Sequence, residues 1–276
     1  MTEKSMLTLY EFGNSVCCQK VRLTLSLKNL EWQSVQVNLF KSEQYEEKYL
    51  KLNPKGVVPT LVHDQRAVVE STLICEYLDD IYPTPKLKPQ DPYLKTQMRS
   101  WSKLVDEGLH EGISEISFSA MFREKMKNMT PAEREIRLRN IGDQKRYDRF
   151  QSTFEKGVAS PFVGYAIQAY ERAFVLLESA LRHDQAWILG QELTLADVNL
   201  IPYVARLYFL DLLNLWLEDK PHIKKWWTRV QGLPQFHQSI LNPMKDVEIQ
   251  EMKHYGQLIA PQIQARLEAL RDAVKF

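Results

Sequence analysis

Hydrophobic and polar positions change period several times within residues 1–84 and then settle near 3.6 for most of the chain. From Met6 to Tyr10 (MLTLY) they alternate as on a short strand. Cys17 to Asn29 sets Val21, Leu25 and Lys28, with Leu27, on a helical face, and Trp32 to Leu39 returns to alternation, which predicts a β-α-β unit. A charged stretch from Ser42 to Leu52 reads as a helix. Val57 to Val62 and Ala67 to Val69 read as two strands joined across Asp64-Gln65, and Ser71 to Tyr82 reads as a helix. The first connection is a crossover and the second a hairpin, so the pattern predicts a small α/β domain with a mixed sheet and flanking helices.

Pro83, Pro85, Pro89 and Pro92 block both helix and interior strand. They divide the chain into a first domain over 1–84, a linker over 85–92 and a second domain over 93–276. In the second domain Met98, Trp101, Leu104, Val105, Leu109, Ile113 and Ile116 fall at helical spacings, as do Ala173, Leu176, Leu177 and Leu181, so it reads as all-helical. Phe122 to Phe162 is rich in basic residues with little apolar periodicity and reads as an insertion outside the core. Thr194-Leu195-Ala196-Asp197 has a capping-box pattern, with Asp in place of Glu, ahead of the apolar run Val198 to Leu213. Met244 to Phe276 reads as a charged tail whose helical stretches are split by Pro261.

The chain has 276 residues, 44% hydrophobic and 26% charged, which excludes disorder and supports two cores without staples. A net charge of +1 supplies no global field for nucleic acid or an anionic membrane. Three cysteines, two of them adjacent (Cys17, Cys18, Cys75), make no disulfide framework and suit a reducing cytoplasm. Neither a signal-peptide pattern nor a run of ~18 apolar residues occurs, so secretion and membrane spanning are not expected. The six histidines form no metal-ligand pattern, and no metal is expected.

Three turns carry candidate chemistry. Phe12-Gly13-Asn14-Ser15-Val16-Cys17-Cys18 joins the first strand to the first helix, where main-chain amides hold anions and a hydroxyl donor stabilises a thiolate. Taken alone, Ser15 also reads as an N-cap and Cys17 as a packed thiol. In Asn53-Pro54-Lys55-Gly56-Val57-Val58-Pro59-Thr60-Leu61 a proline stands inside an apparent strand. A cis Val58-Pro59 bond would present the Val58 main chain to a peptide-like ligand; an edge strand would explain the proline equally. Glu70-Ser71-Thr72 opens another helix, where Ser71 caps it or its amide binds a carboxylate while Glu70 accepts an ammonium.

Together, these turns followed by a proline-rich linker and an all-helical domain resemble the cytosolic glutathione transferase superfamily over nearly the whole chain. The resemblance implies a thioredoxin-like first domain and a C-terminal helical bundle. It implies that Val58, with Pro59, pairs with the cysteinyl backbone of glutathione, that Glu70 and Ser71 hold its γ-glutamyl end, and that Gln44 lies near its glycyl carboxylate. Ser15, beside Asn14, matches the serine that stabilises the glutathione thiolate in serine-type classes. Glu70 to Asp80, Pro89-Gln90-Asp91-Pro92, Met98 to Trp101, Val105-Asp106-Glu107 and Asn14-Ser15 are similar to bacterial β-etherases that cleave lignin-derived aryl ethers. Thr194 to Leu213 and the 122–162 insertion are also similar to dehalogenase-like members.

The reaction so implied is attack by the glutathione thiolate on an electrophilic carbon, with aryloxide or halide leaving. Ile113, Ile116, Phe118 and Met121 are the expected apolar walls for a hydrophobic, aromatic electrophile, though the same spacing suits core packing. Ser15-Val16-Cys17 also resembles the Ser-x-Cys of reductive dehalogenases, which would make Cys17 the reacting thiol of a dehalogenase or thiol-disulfide reductase. A third reading is a non-enzymatic interaction module on the same fold. A homodimer is the family expectation.

Overall fold

The computed structural model describes residues 6–139 and 143–273, with backbone alone for 136–139. Residues 1–5 of the expected first domain, 140–142 of the expected insertion and 274–276 of the expected tail lie outside the described residues. The chain falls into two compact units, the first made of Met1–Ser102, Ala186–Pro202 and Thr228–Met244, the second of Lys103–Gln185, Tyr203–Trp227 and Lys245–Phe276. Two segments distant in sequence thus pack with the α/β unit, a grouping that the linear division at 85–92 does not contain.

The first unit begins β1 (Leu7–Glu11), α1 (Val16–Leu27), β2 (Gln33–Gln36). After short 3₁₀ turns at Leu39–Lys41 and Glu43–Tyr45 come α2 (Glu47–Leu50), β3 (Thr60–His63), β4 (Arg66–Val69) and α3 (Ser71–Ile81). The sheet order is β2-β1-β3-β4. β1 runs parallel to β2, and β1–β3 and β3–β4 are antiparallel, the mixed sheet that one crossover and one hairpin require. Leu7, Leu9 and Leu61 are buried on it. The single helix expected over 42–52 is broken up, because Ser42 takes a left-handed φ of 62° and the Asn38 side chain instead accepts from the Phe40 and Lys41 amides at 3.0 and 3.2 Å.

Buried charges link the segments of this unit. Lys28 at the end of α1 pairs with Asp79 of α3 and donates to the carbonyls of Tyr82 and Pro85 at 2.6 and 2.5 Å. Asp79 also accepts the Leu87 and Lys88 amides at 2.8 and 3.1 Å, so the proline-rich segment is tied to both helices. Asp197 accepts the Ile188 and Thr194 amides at 3.0 and 3.1 Å while Thr194 Oγ1 accepts the Ala196 amide at 3.3 Å, the reciprocal satisfaction of helix-start donors that its spacing predicts.

The remaining helices are α4 (Pro92–Leu104), α5 (His110–Ser117), α6 (Arg123–Lys127), α7 (Pro131–Arg139), α8 (Gln144–Lys156), α9 (Pro161–Ala180), α10 (Leu195–Phe209), α11 (Asn214–Leu217), α12 (Pro221–Gln231), α13 (Pro234–Phe236) and α14 (Asp246–Ala273). Single π turns at Val105–Leu109 and Phe118–Phe122 each add a residue between α4, α5 and α6. In the second unit α5 packs on α9, where the Cβ of Ala166 lies 3.3 Å from where a Cβ on Gly112 would stand.

Two expectations are corrected here. The 122–162 segment is not outside the core: Thr153 is fully buried and donates to Glu115 at 2.5 Å, Phe150 packs on Phe118, and Arg123 donates to the Phe154 carbonyl at 2.8 Å. Its packing rests on hydroxyls and on Arg134 and Arg146 over the rings of Phe154 and Phe150, which leave no apolar periodicity to read. Nor does Pro261 split the tail, since α14 runs through it. The lost main-chain bond costs about 3 kcal/mol, and burial of Met252, Ile263 and Leu267 along one face offsets it. No helix among the described residues is long and apolar enough to cross a membrane.

Candidate active site

Ser15 takes extended backbone (φ −87°, ψ 123°) and caps α1, with its Oγ accepting the Cys18 amide at 3.4 Å and its carbonyl accepting the Gln19 amide at 2.9 Å. Its amide donates to the Phe12 carbonyl at 3.0 Å, closing the turn. The capping bond occupies a lone pair of Oγ, so the structure shows the N-cap and leaves the O–H available as a donor at a helix N-terminus. Asn14, Ser15 and Cys17 are half-buried; Cys18 is fully buried. Burial pushes the Cys18 thiol up to about 12, against the pull of the Arg22 guanidinium and the Ser15 hydroxyl, so Cys18 stays protonated. Cys17 alone of the adjacent pair is partly open to solvent.

The Val58-Pro59 bond is cis. Pro59 stands ahead of β3, which starts at Thr60, so the proline is not inside the strand as the pattern suggested, and it removes no donor from the sheet ladder. The loop is fixed by two residues that the sequence reading did not single out as a pair. Tyr49 Oη donates to the Val57 carbonyl at 2.7 Å and lies 3.0 Å from Thr60 Oγ1. Asn53 Nδ2 donates to the same two groups at 2.8 and 3.2 Å. Burial pushes the Tyr49 phenol up to about 12, which keeps it a neutral donor. Gly56 has a φ of +58°, and a Cβ there would sit 2.8 Å from the Tyr45 ring. The main chain of Val58 takes no part in this network.

Glu70 has φ 69° and ψ 108°, a conformation costing a non-glycine residue of order 1–3 kcal/mol. It turns the chain abruptly into α3, which opens at buried Ser71. The Glu70 carboxylate is half-exposed and pairs with Lys55 at 2.5 Å, an exchangeable surface contact that spacing did not reveal. Behind it the fully buried Lys20 donates to Thr72 Oγ1 at 2.8 Å. Gln44 is buried within its turn, and its Oε1 has no hydrogen-bond partner. Leaving a buried acceptor unmet costs about 1–3 kcal/mol, so Gln44 is a group that a ligand or water would satisfy.

Four apolar residues are the expected pocket walls. Ile113, Ile116, Phe118 and Met121 are buried in the second unit, and each is at most 6% exposed. Each packs among its neighbours, as the apolar stripe of a helix does. Other residues of the same stretch, Glu107, Glu111 and Glu115, line a cavity of about 190 Å³ with Arg149, Phe162 and Tyr165.

Comparison with known proteins fits this geometry. The glutathione S-transferase N-terminal domain matches residues 9–86 and the glutathione S-transferase C-terminal domain matches residues 163–234. Protein LigF of Sphingobium sp. (strain NBRC 103272 / SYK-6) is 46% identical over 103 residues, which are 37% of this chain and 40% of LigF, so the match spans under half of that relative. A probable maleylacetoacetate isomerase of Caenorhabditis elegans is 27% identical over 83% of this chain and 90% of its own. The crystal structure of β-etherase LigF has a TM-score of 0.75 at 28% identity, covering 85% of this chain and 98% of that one. A Burkholderia graminis glutathione transferase, solved with two glutathione molecules per subunit, shares the fold at a TM-score of 0.64 and 20% identity over 89% of this chain and 91% of its own. With both characteristic domains matched in order and a mixed four-stranded sheet carrying all three turns, this chain belongs to the glutathione S-transferase family.

Proposed function

We propose that this glutathione S-transferase holds glutathione along the three turns of its α/β unit and attacks a β-aryl ether with the bound thiolate. The observation that carries the reading is the Ser15 hydroxyl, fixed at the start of α1 by its bond to the Cys18 amide with its own proton free to be given. In this reading Val58, beside Pro59, pairs with the cysteinyl main chain, and Ser71 and Glu70 hold the γ-glutamyl end. Gln44 answers the glycyl end, and Asn14 shapes the turn. Ser15 donates to the sulfur, favouring the thiolate. The C–S bond forms as the C–O bond breaks, and the electron pair leaves on the aryloxide, which takes a proton from water.

Similarity to LigF, whose solved structure is that of a β-etherase, supports an aromatic ether as electrophile. The half-exposed Cys17 supports the second reading, a Cys17-dependent dehalogenase or thiol-disulfide reductase. A homodimer belongs to the first proposal: Leu73, Ile81, Tyr93 and Leu94 are large apolar side chains exposed on the first unit, and light scattering is expected to give about twice 32.4 kDa. A monomer at micromolar concentration would remove it. Its three cysteines stand outside any disulfide, which suits a reducing cytoplasm.

The test is release of phenol from a β-aryl ether with and without glutathione, alongside calorimetric titration of glutathione. Glutathione-dependent phenol, with an equal amount of thioether, is the expected result. Binding without release overturns the ether as substrate, and absence of binding overturns the enzymatic reading.

A further inference from the structure

The Ser15 turn is held by a side chain of its own helix. Arg22 lies seven residues beyond Ser15, two turns along the same face of α1, and helical side chains lean toward the N-terminus. Its guanidinium has three separate engagements. Nη2 donates to the Gly13 carbonyl at 2.7 Å, two residues before Ser15. Nη1 pairs with Glu11 at the end of β1, with both side chains 3% exposed, and Glu11 accepts the Ser34 hydroxyl at 2.6 Å through its other oxygen. Nε donates to the Ser239 carbonyl at 2.7 Å, and the Ser239 hydroxyl returns a bond to the Arg22 carbonyl at 3.1 Å.

The partner segment also touches the turn directly. A Cβ on Gly13 would lie 2.9 Å from the Pro243 carbonyl oxygen, so the turn and the 237–244 segment are in main-chain contact. Gln19, one helical turn after Ser15, donates to Met244 Sδ at 3.7 Å. A stretch more than 200 residues away in sequence therefore braces the first turn of α1 within the same compact unit.

We propose that Arg22 is a positioning residue for Ser15, fixing the hydroxyl by clamping the Gly13 carbonyl between β1 and the main chain of the 237–244 segment. This rests on the reading of Ser15 as the thiolate donor. A buried ion pair is a poor device for stability alone, because desolvation consumes most of its attraction and an apolar pair of similar volume does as well. What a guanidinium adds is direction: a rigid planar fork serves three acceptors at fixed angles, as a single ammonium cannot. Catalysis by an oriented donor is steep in distance, and a misplacement of about 1 Å costs on the order of 100-fold.

The test compares wild type with Arg22→Lys, Ser15→Ala and their combination. Arg22→Lys keeps the charge beside Glu11 and loses the fork. Glutathione affinity is expected to stay within about 3-fold, kcat to fall about 10- to 100-fold, and the bound thiol to titrate about one pH unit higher. The combination is expected to be no slower than Ser15→Ala alone, since Arg22 acts through Ser15. If Arg22→Lys does not fold, Glu11→Leu with Arg22→Met removes both charges together, and the same loss is expected in the folded protein. Wild-type kcat and wild-type thiol titration in any folded Arg22 variant overturn the proposal, as does a defect that multiplies with that of Ser15→Ala. Wild-type protein that leaves the bound thiol at its free value overturns the Ser15 reading itself, and the Arg22 role with it.

Discussion

Replacing Ser15 by alanine is expected to lower kcat by about 100-fold at neutral pH while glutathione affinity changes little. Removal of one preorganised donor from a developing or resident anion costs on the order of 100- to 1000-fold, and the lower end suits a half-buried hydroxyl. The sign with pH follows from the same bond. A donor to the thiolate favours the charged form and lowers its pKa, so its loss raises the pKa, and the acid limb of kcat/KM moves to higher pH. Ser15 also caps α1, so the variant loses about 1 kcal/mol of stability, too little to explain 100-fold at 25 °C in a folded protein. Cys17→Ala is expected to keep most activity. A larger loss for Cys17→Ala than for Ser15→Ala would make Cys17 the reacting group.

Gly256→Ala carries the largest expected effect on stability. Gly256 is buried in α14, and a Cβ there would stand 1.8 Å from the Leu210 carbonyl oxygen, 2.6 Å from its carbon and 2.9 Å from its Cα. Every atom it meets is main chain, so no rotamer relieves the overlap. Helix propensity alone argues the other way, since alanine favours a helix interior over glycine by about 1 kcal/mol. The overlap exceeds ordinary overpacking, which costs about 1–3 kcal/mol, so the packing loss wins. A net destabilisation of at least about 2 kcal/mol is expected as a lower urea midpoint. A midpoint equal to or above that of wild type would show that α14 does not approach Leu210 this closely.

The parts of this fold and site that were legible in the sequence are local. The Ser15 turn, Val58-Pro59 and Glu70-Ser71 each announce themselves within a few residues, because a helix start or a strand boundary constrains its own neighbours. The mixed sheet followed from the order of periods. What was hidden depends on distance along the chain. Arg22 meets Glu11 and, 217 residues away, Ser239, and nothing in the spacing of a single sequence pairs them. Lys20 and Arg22 in α1, and Lys28 at its C-cap, are buried at positions that composition would send to solvent, since each finds a specific oxygen partner. Ile113, Ile116, Phe118 and Met121 are buried, and their role is not legible from spacing, because an apolar position looks the same whether its neighbour is a substrate or another helix. Gly256 sits inside α14 with no turn or cap signal beside it, and its contact with the Leu210 main chain explains it.

The central claim is that Ser15 holds bound glutathione as its thiolate. The direct measurement is ultraviolet titration of the binary glutathione complex across pH, comparing wild type, Ser15→Ala and Cys17→Ala. A free thiol titrates near 8.5, and the account predicts a wild-type inflection at least about 1 unit lower, the same for Cys17→Ala and returned toward the free value for Ser15→Ala. A wild-type complex that titrates like free glutathione, or an inflection that moves with Cys17 and not with Ser15, would contradict it.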